Sequence, residues 1–319
     1  MKKIIFFAYI LIISMAPIRV FSHETLSINQ KTLSIEEVAP GIFVHQGKHL
    51  DVDEGYQGDI SNIGFIIGKE SVAVIDTGGT DSIGYALLNE IKKRTNLPIK
   101  YIINTHVHLD HIYGNVAFKR KGVEFIGHEN LPKAMQFRKE FYERINLEYL
   151  NIPHDRTIQI SPNILVKVLE PIVIDLGDRL LKITAYPTAH TNTDITIEDT
   201  KTSTLWTGDL LFTERAPSVD GDIHGFIESI NSLMKAKYNL LIPGHGSPTF
   251  EPNLSWNKIR NYLIILRNGI RLAIDEGLDL QMAIDTVAKE ESSKWELFDV
   301  QNGRNINMIY PQMEWEEVE

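Results

Sequence analysis

The 319-residue chain contains no cysteine. That excludes disulfides, a lipidated cysteine, a thiol nucleophile and thiolate metal ligands. Positive charge is scarce: 32 Lys and Arg against 42 Asp and Glu give a formal net charge of -10. A nucleic-acid-binding footprint needs the opposite balance. No internal apolar run reaches membrane-spanning length, and there is no low-complexity segment. The Gly78-Gly79 pair does not match a phosphate-binding glycine loop and reads as a tight turn. No Ser-His-Asp or Cys-His nucleophile stands out.

What is present is core-forming material, with 43% hydrophobic residues. The length allows one large domain or two small ones. The start reads as a secretory signal over residues 1–22. Lys2 and Lys3 form the basic end, residues 4–13 the apolar run, and Val20-Phe21-Ser22 suits a signal peptidase. The alternative, an uncleaved N-terminal anchor, is disfavoured because so short a run spans poorly. Cleavage would remove Lys2, Lys3 and Arg19, leaving 32 - 3 = 29 positive against 42 negative charges, or -13. The expectation is a periplasmic or secreted protein with no stable membrane span after cleavage and an oligomeric state the sequence leaves open.

Residues 23–37 show little pattern and read as a loose leader. Short β-rich runs follow at residues 41–46, 63–67, 72–75 and 99–104, with a helical spacing of Ile83, Leu87, Leu88 and Ile91 before the last of them. A strand at 123–126 leads to a helix over about 131–149, with Ala134, Phe137, Phe141 and Ile145 on one face. Strands are then predicted at 164–169, 172–174, 180–186, 195–197 and 204–207. A helix around Phe226–Met234 and a strand at 240–242 complete the pattern, and two helical patterns follow Pro252. Strands mixed with helices in both halves predict an α/β (α+β) fold of two packed sheets with helices on their outer faces. The expected organisation is a catalytic domain over 23–250 and a C-terminal helical extension over 251–319 packed on the same domain. The two halves are loosely alike, a weak hint of internal duplication.

Chemistry concentrates in Thr105-His106-Val107-His108-Leu109-Asp110-His111, where a predicted strand turns toward a short helix. Neutral imidazole and carboxylate suit a borderline metal such as zinc. His106 and His108 are two residues apart, so an extended chain points them the same way. Asp110 and His111 are adjacent and point differently, so the turn can hold two metals side by side. His190, Asp209 and His245 each follow a predicted strand, a rigid place from which to aim a side chain. They bring the candidate ligands to seven, enough for two ions with positions left for water and substrate. Tyr113, Arg215 and His224 are candidate pocket residues. His23, His45, His49, His128 and His154 are read as non-ligands.

His106-x-His108-x-Asp110-His111, followed by His190, Asp209 and His245 in that order, resembles the metallo-β-lactamase superfamily over roughly residues 40–250. Asp76, in Val74-Ile75-Asp76-Thr77-Gly78, matches its first motif. The resemblance implies an αββα sandwich with a dinuclear zinc site at one edge. His106, His108 and His190 would bind the first zinc, Asp110, His111 and His245 the second, and Asp209 would bridge them. Asp76 would hold the histidine turn. The resemblance also separates branches: true β-lactamases carry cysteine or serine where Asp209 stands, and diiron redox members carry glutamate at the position of His108. Leu205 through Phe212, Arg215-Ala216-Pro217 and Asp220-Gly221 resemble the exported quinoprotein relay system zinc metallohydrolases, a SoxH-like branch.

The implied chemistry is hydrolysis of a small-molecule carbonyl substrate, a thioester, lactone, ester or amide, by a hydroxide shared between two zinc ions. Asp110 would orient the hydroxide and pass on its proton. Alternatives are β-lactamase activity, a non-hydrolytic metal- or ligand-binding accessory role in a periplasmic quinoprotein or respiratory system, and phosphodiester cleavage. The acidic balance argues against nucleic acid.

Overall fold

The computed structural model describes residues 32–52, 55–154 and 156–316. The expected signal segment, 1–22, lies outside these residues. The first sheet contains β1 (Glu36–Ala39), β2 (Ile42–His45), β3 (Ile63–Ile67), β4 (Val72–Ile75), β5 (Ile99–Ile103), β6 (Glu124–His128) and β7 (Ile164–Val166), in that spatial order. Neighbours are antiparallel from β1 to β4 and parallel from β4 to β7. The parallel pairs need crossovers. Helix α1 (Asp81–Arg94) makes the first, and α2 (Leu109–Ile112) with a short 3-10 stretch makes the second. Helix α3 (Leu131–Leu150) lies in the third.

The second sheet is ordered β12-β11-β10-β9-β8. Its members are β8 (Ile172–Asp175), β9 (Leu180–Ala185), β10 (Ile195–Asp199), β11 (Thr204–Phe212) and β12 (Leu240–His245), with α4 (Ile223–Leu233) crossing between the last two. It too runs antiparallel first and parallel last. Helices α5 (Pro252–Asp275), α6 (Leu280–Thr286) and α7 (Phe298–Glu314) follow.

Side-chain alternation along the strands builds three layers of core. Ile75, Ile103 and Ile66 of the first sheet meet Ile183, Ile197 and Trp206 of the second in the central layer. Val72 and Val74 point the other way and pack with Ile83, Leu87 and Ile91 of α1. Leu205 and Leu241 cover the opposite outer face, beneath Phe226 of α4 and Trp256, Leu266, Ile306 and Ile309 of α5 and α7. The result is the expected pair of mixed sheets flanked by helices. Among the described residues, no helix is long and apolar enough to cross a membrane.

Three local expectations fail. Residues 36–37 belong to β1, not to a leader, because β2 offers them a pairing edge. In α3 the buried residues are Leu131, Ala134, Met135, Tyr142, Glu143 and Asn146, whereas Phe137 is 87% exposed. The helix turns Tyr142 onto Tyr113 and Ile112 of the histidine turn, which leaves Phe141 on the wall of a cavity. A third helix, α7, follows the two helical patterns read after Pro252. Its buried face carries Gln301, Asn302 and Asn305 in its first turns and Ile306, Ile309, Tyr310 and Met313 after them, so apolar spacing marks only its second half.

Candidate metal centre

His106 and His108 lie in the turn after β5, Asp110 and His111 in α2, and His190 in the loop after β9, while His245 ends β12. Asp209, expected just after a strand, lies within β11, which runs on to Phe212. Parallel pairing of β11 with β12 brings Asp209 beside His245. Gly244 makes the approach possible: a Cβ there would lie 1.8 Å from Asp209 Oδ1. Gly208, with φ +52°, holds a left-handed turn where a side chain would strike Thr105.

The seven side chains form two groups that could each hold a metal ion. His106, His108, His190 and Asp209 make one; Asp110, His111 and His245 make the other. Asp209 stands between them. Its Oδ2 is 3.3 Å from Nε2 of His190 and 3.3 Å from Nε2 of His245, and its Oδ1 is 3.3 Å from Nε2 of His111. Asp110 Oδ2 is 3.4 Å from Nε2 of both His111 and His245.

Every imidazole gives its outer nitrogen to an acceptor. His190 Nδ1 donates to Ser218 O at 2.7 Å and His245 Nδ1 to Ile60 O at 2.7 Å. His111 Nδ1 donates to Asp76 Oδ2 at 2.8 Å, and His108 Nε2 to Asp220 Oδ2 at 2.8 Å. His106 Nδ1 donates to Thr105 Oγ1 at 3.0 Å, and that hydroxyl donates in turn to Asp76 at 2.7 Å. Such partners set the tautomer and aim the other nitrogen's lone pair inward. Lone pairs of His190 Nε2 and His108 Nδ1 then face each other at 3.1 Å. His106 Nε2, His111 Nε2 and Asp209 Oδ1 are buried without a hydrogen-bond partner. Buried polar atoms are costly when unpaired, and a divalent cation satisfies all of them at once. The donor set fits a metal.

The electrostatics agree. Burial, together with the charge of His111, pushes His106 well below the ordinary histidine value, and burial pushes His190 down to about 4. Both are therefore neutral ligands near pH 7. Burial also opposes charge on His111, but Asp110, Asp209 and Asp76 outweigh it and raise His111 well above the ordinary value. A cation entering that group takes the place of a proton. For Asp209, burial works against the carboxylate, yet His245, His106, His111 and His190 hold it well below the usual range.

Asp76 is fully buried and accepts from Thr105 N at 2.8 Å as well as from Thr105 Oγ1 and His111. It ties the histidine turn to the end of β4. Tyr113 lies behind Tyr142, rings 6.1 Å apart, and accepts a hydrogen bond from Gln159; it does not line the cavity. His224 faces outward to Glu316. Arg215 does line the cavity. His45 bonds Asp59, His128 bonds Tyr186 O, and His49 and His154 pair with glutamates, all away from the centre. His23 lies outside the described residues.

Sequence reading gave no role to Asp220, Ser218, Ile60, Arg138 or Asn62. Asn62 donates to the carbonyls of Pro243 and Gly246, at 2.9 and 2.7 Å, and so pins the turn that carries His245. Asp220 is 112 positions from His108, and no local pattern marks such a pair. Burial alone would raise the Asp220 carboxyl, but the hydrogen bond and charge of His108 and the charge of Arg138, 2.7 Å away, hold it below the usual range. Asp220→Ala should weaken metal binding by about 10- to 100-fold in a competition titration against a chelating dye. Unchanged affinity would deny Asp220 its part in orienting His108.

A family model for the metallo-beta-lactamase superfamily matches residues 56–245. The chain belongs to the metallo-beta-lactamase superfamily. No curated protein matches it. Among solved structures it is similar to the stereoselective inverting sec-alkylsulfatase Pisa1 from Pseudomonas sp., with a TM-score of 0.68 and 17% identity over 88% of this chain and 50% of that one. The chain thus spans about half the length of that alkylsulfatase. It is also similar to metallo-beta-lactamases from Hirschia baltica (TM-score 0.56, 18% identity, 73% of this chain and 98% of that one) and Pontibacter korlensis (0.54, 19%, 72% and 99%). At these identities the likeness is one of fold. The family match covers every residue of both metal-holding groups, and members of this metallo-beta-lactamase superfamily are mostly hydrolases.

Proposed function

We propose that this protein is an exported dinuclear-zinc hydrolase of a small carbonyl substrate such as a thioester, lactone or ester. The carrying observation is the set of five imidazoles that spend their outer nitrogens on protein acceptors and converge, with two carboxylates, on a shared centre. His106, His108 and His190 would hold one zinc and Asp110, His111 and His245 the other, with Asp209 common to both. When bound, the pair supplies an activated water and electrophilic pull on a carbonyl oxygen.

The chain's own residues do the rest. Asp110 faces the cavity beside His111 and His245, in position to orient the attacking water and carry its proton to the leaving group. Tyr142 also lines the cavity, and burial raises its phenol so that it stays protonated and keeps an O–H to donate. Phe141, Ile145 and Tyr149 of α3 form an apolar wall of the same cavity. The branch resemblance at Leu205 through Phe212 and Arg215 through Pro217 supports the zinc assignment, and residues 1–22 support export.

The test is metal analysis of the mature protein with a panel of thioester, lactone, ester, nitrocefin and phosphodiester substrates. We expect two zinc ions per chain and turnover of a thioester, lactone or ester. Nitrocefin turnover at a comparable rate would favour a β-lactamase. An intact metal site with no turnover across the panel would favour the accessory binding role. Export predicts a mature chain beginning at His23; an uncut N-terminus in an extracytoplasmic fraction would favour the anchor.

A further inference from the structure

Arg215 is the one arginine of the cavity wall that is both buried and without an anionic partner among the described residues. It is 6% exposed and lines a cavity of about 740 Å3 that also opens onto His108, Asp110, Asp209 and His245. Of the other arginines in the wall, Arg144 is exposed to solvent with its guanidinium over the Phe141 ring, and the remaining two are paired. Arg138 is paired with Asp220 at 2.7 Å, and both Nη atoms of Arg304 bond the Asp51 carboxylate at 2.8 Å. By contrast Arg215 Nε is buried with no acceptor.

Its polar side-chain contact is Nη1 to His245 Nδ1, 3.3 Å away. That contact is not a hydrogen bond. The Ile60 carbonyl, 2.7 Å from the same Nδ1, can only accept, so Nδ1 spends its proton there and has no lone pair to accept from the guanidinium. Arg215 therefore sits with unspent donors against the group that contains His245. Burial lowers its pKa, and the charges of Asp110, Asp209 and Asp51 oppose that. Cations in the two metal-holding groups would draw on Asp110 and Asp209, and Asp51, the third carboxylate near the guanidinium, is already bonded by both Nη atoms of Arg304. A planar fork of N–H donors matches a carboxylate or sulfate.

We infer that Arg215 is an anion-binding residue for substrate: the molecule hydrolysed here carries a carboxylate or sulfate group seated on Arg215, and an apolar body lying along Phe141, Ile145 and Tyr149 of α3 and Met308 of α7. This rests on the hydrolytic reading of the same site and narrows it from any small carbonyl compound to an anionic amphiphile. The apolar half of the argument is the wall itself. Phe141 is 48% exposed, Tyr149 46% and Met308 38%, and all three line the cavity. Those side chains gain most by covering apolar surface.

The experiment is calorimetric titration of the zinc-loaded full chain with hexyl sulfate, hexanoate and hexanol. Wild type is expected to bind at least one of the two anions and to bind hexanol much more weakly. The tighter anion distinguishes a sulfate from a carboxylate substrate. Arg215→Met should weaken anion binding by about 10- to 100-fold while zinc content and melting temperature stay as in wild type. Arg215→Lys, which keeps the charge and loses the fork, should fall between. Equal affinity of wild type and Arg215→Met for the anions overturns the inference, since the metals alone would then hold them. Hexanol binding as tight as hexyl sulfate and hexanoate also overturns it. If Arg215→Met fails to fold or to keep zinc, the comparison of anions with hexanol on wild type and Arg215→Lys decides. A protein that binds the anions through Arg215 but turns over nothing sinks the hydrolase reading alone; one that hydrolyses neutral esters and ignores the anions sinks this inference alone.

Discussion

An Asp209→Ala protein should fold, bind markedly less zinc and hydrolyse its substrate slower by about 10^3-fold or more. The reasoning starts from position. Asp209 has a carboxylate oxygen within 3.3 to 3.7 Å of the inner nitrogens of four histidines, drawn from both metal-holding groups. Without it, the two cations proposed here would lose the anion common to both groups. Metal polarisation contributes several kcal/mol to a transition state, and about 4 kcal/mol is a factor of about 10^3 in rate. Asp209→Asn separates charge from shape. It fits the notch left by Gly244 but cannot neutralise two cations, so it should resemble the alanine variant. Full activity with two zinc ions in either variant would refute the bridging role.

The second large effect is on stability. A chelator should abolish hydrolysis and lower the melting temperature by about 10 °C, with zinc restoring both. A ligand present at about 1,000 times its dissociation constant stabilises the folded state by about 4 kcal/mol, and each kcal/mol moves the midpoint of a domain this size by about 2 to 4 °C. The loss should grow as pH rises. In the metal-free protein His111 has a raised pKa because three carboxylates surround it. The stability its proton contributes is complete below the unfolded value of about 6.5 and disappears as pH climbs through the raised value. Zinc bound as proposed would replace that proton and hold the carboxylates where the proton no longer can. Scanning calorimetry with and without chelator at pH 6 and pH 8 measures the difference. A chelator-induced shift that shrinks with rising pH would contradict this account.

The parts of the protein that sequence made legible share a physical cause. Strands such as Val72–Ile75 are buried on both faces, and α1 buries one stripe, so their apolar periods appear in the residues themselves. The candidate ligands are legible because no other task concentrates three imidazoles and a carboxylate between Thr105 and His111. What stayed hidden depends on contacts between distant positions. Helix α7 buries amides that are satisfied from afar: Asn302 donates to Val287 O and accepts from Tyr262. The buried face of α3 is chosen by Tyr113 and Ile112 rather than by its own phenylalanines. Acceptors for the outer nitrogens of His190 and His245 are backbone carbonyls of Ser218 and Ile60, groups that every residue possesses and that no composition can flag.

Asn305 of α7 accepts from Val219 N at 2.9 Å and donates to Pro217 O at 2.8 Å. It clasps the loop whose Ser218 and Asp220 orient His190 and His108. Residues 298–314 follow all seven candidate ligands in the chain, yet Asn305 among them fastens the loop that aims two of the five imidazoles. The metal-holding groups are therefore complete only with α7 in place, although the family match ends at residue 245.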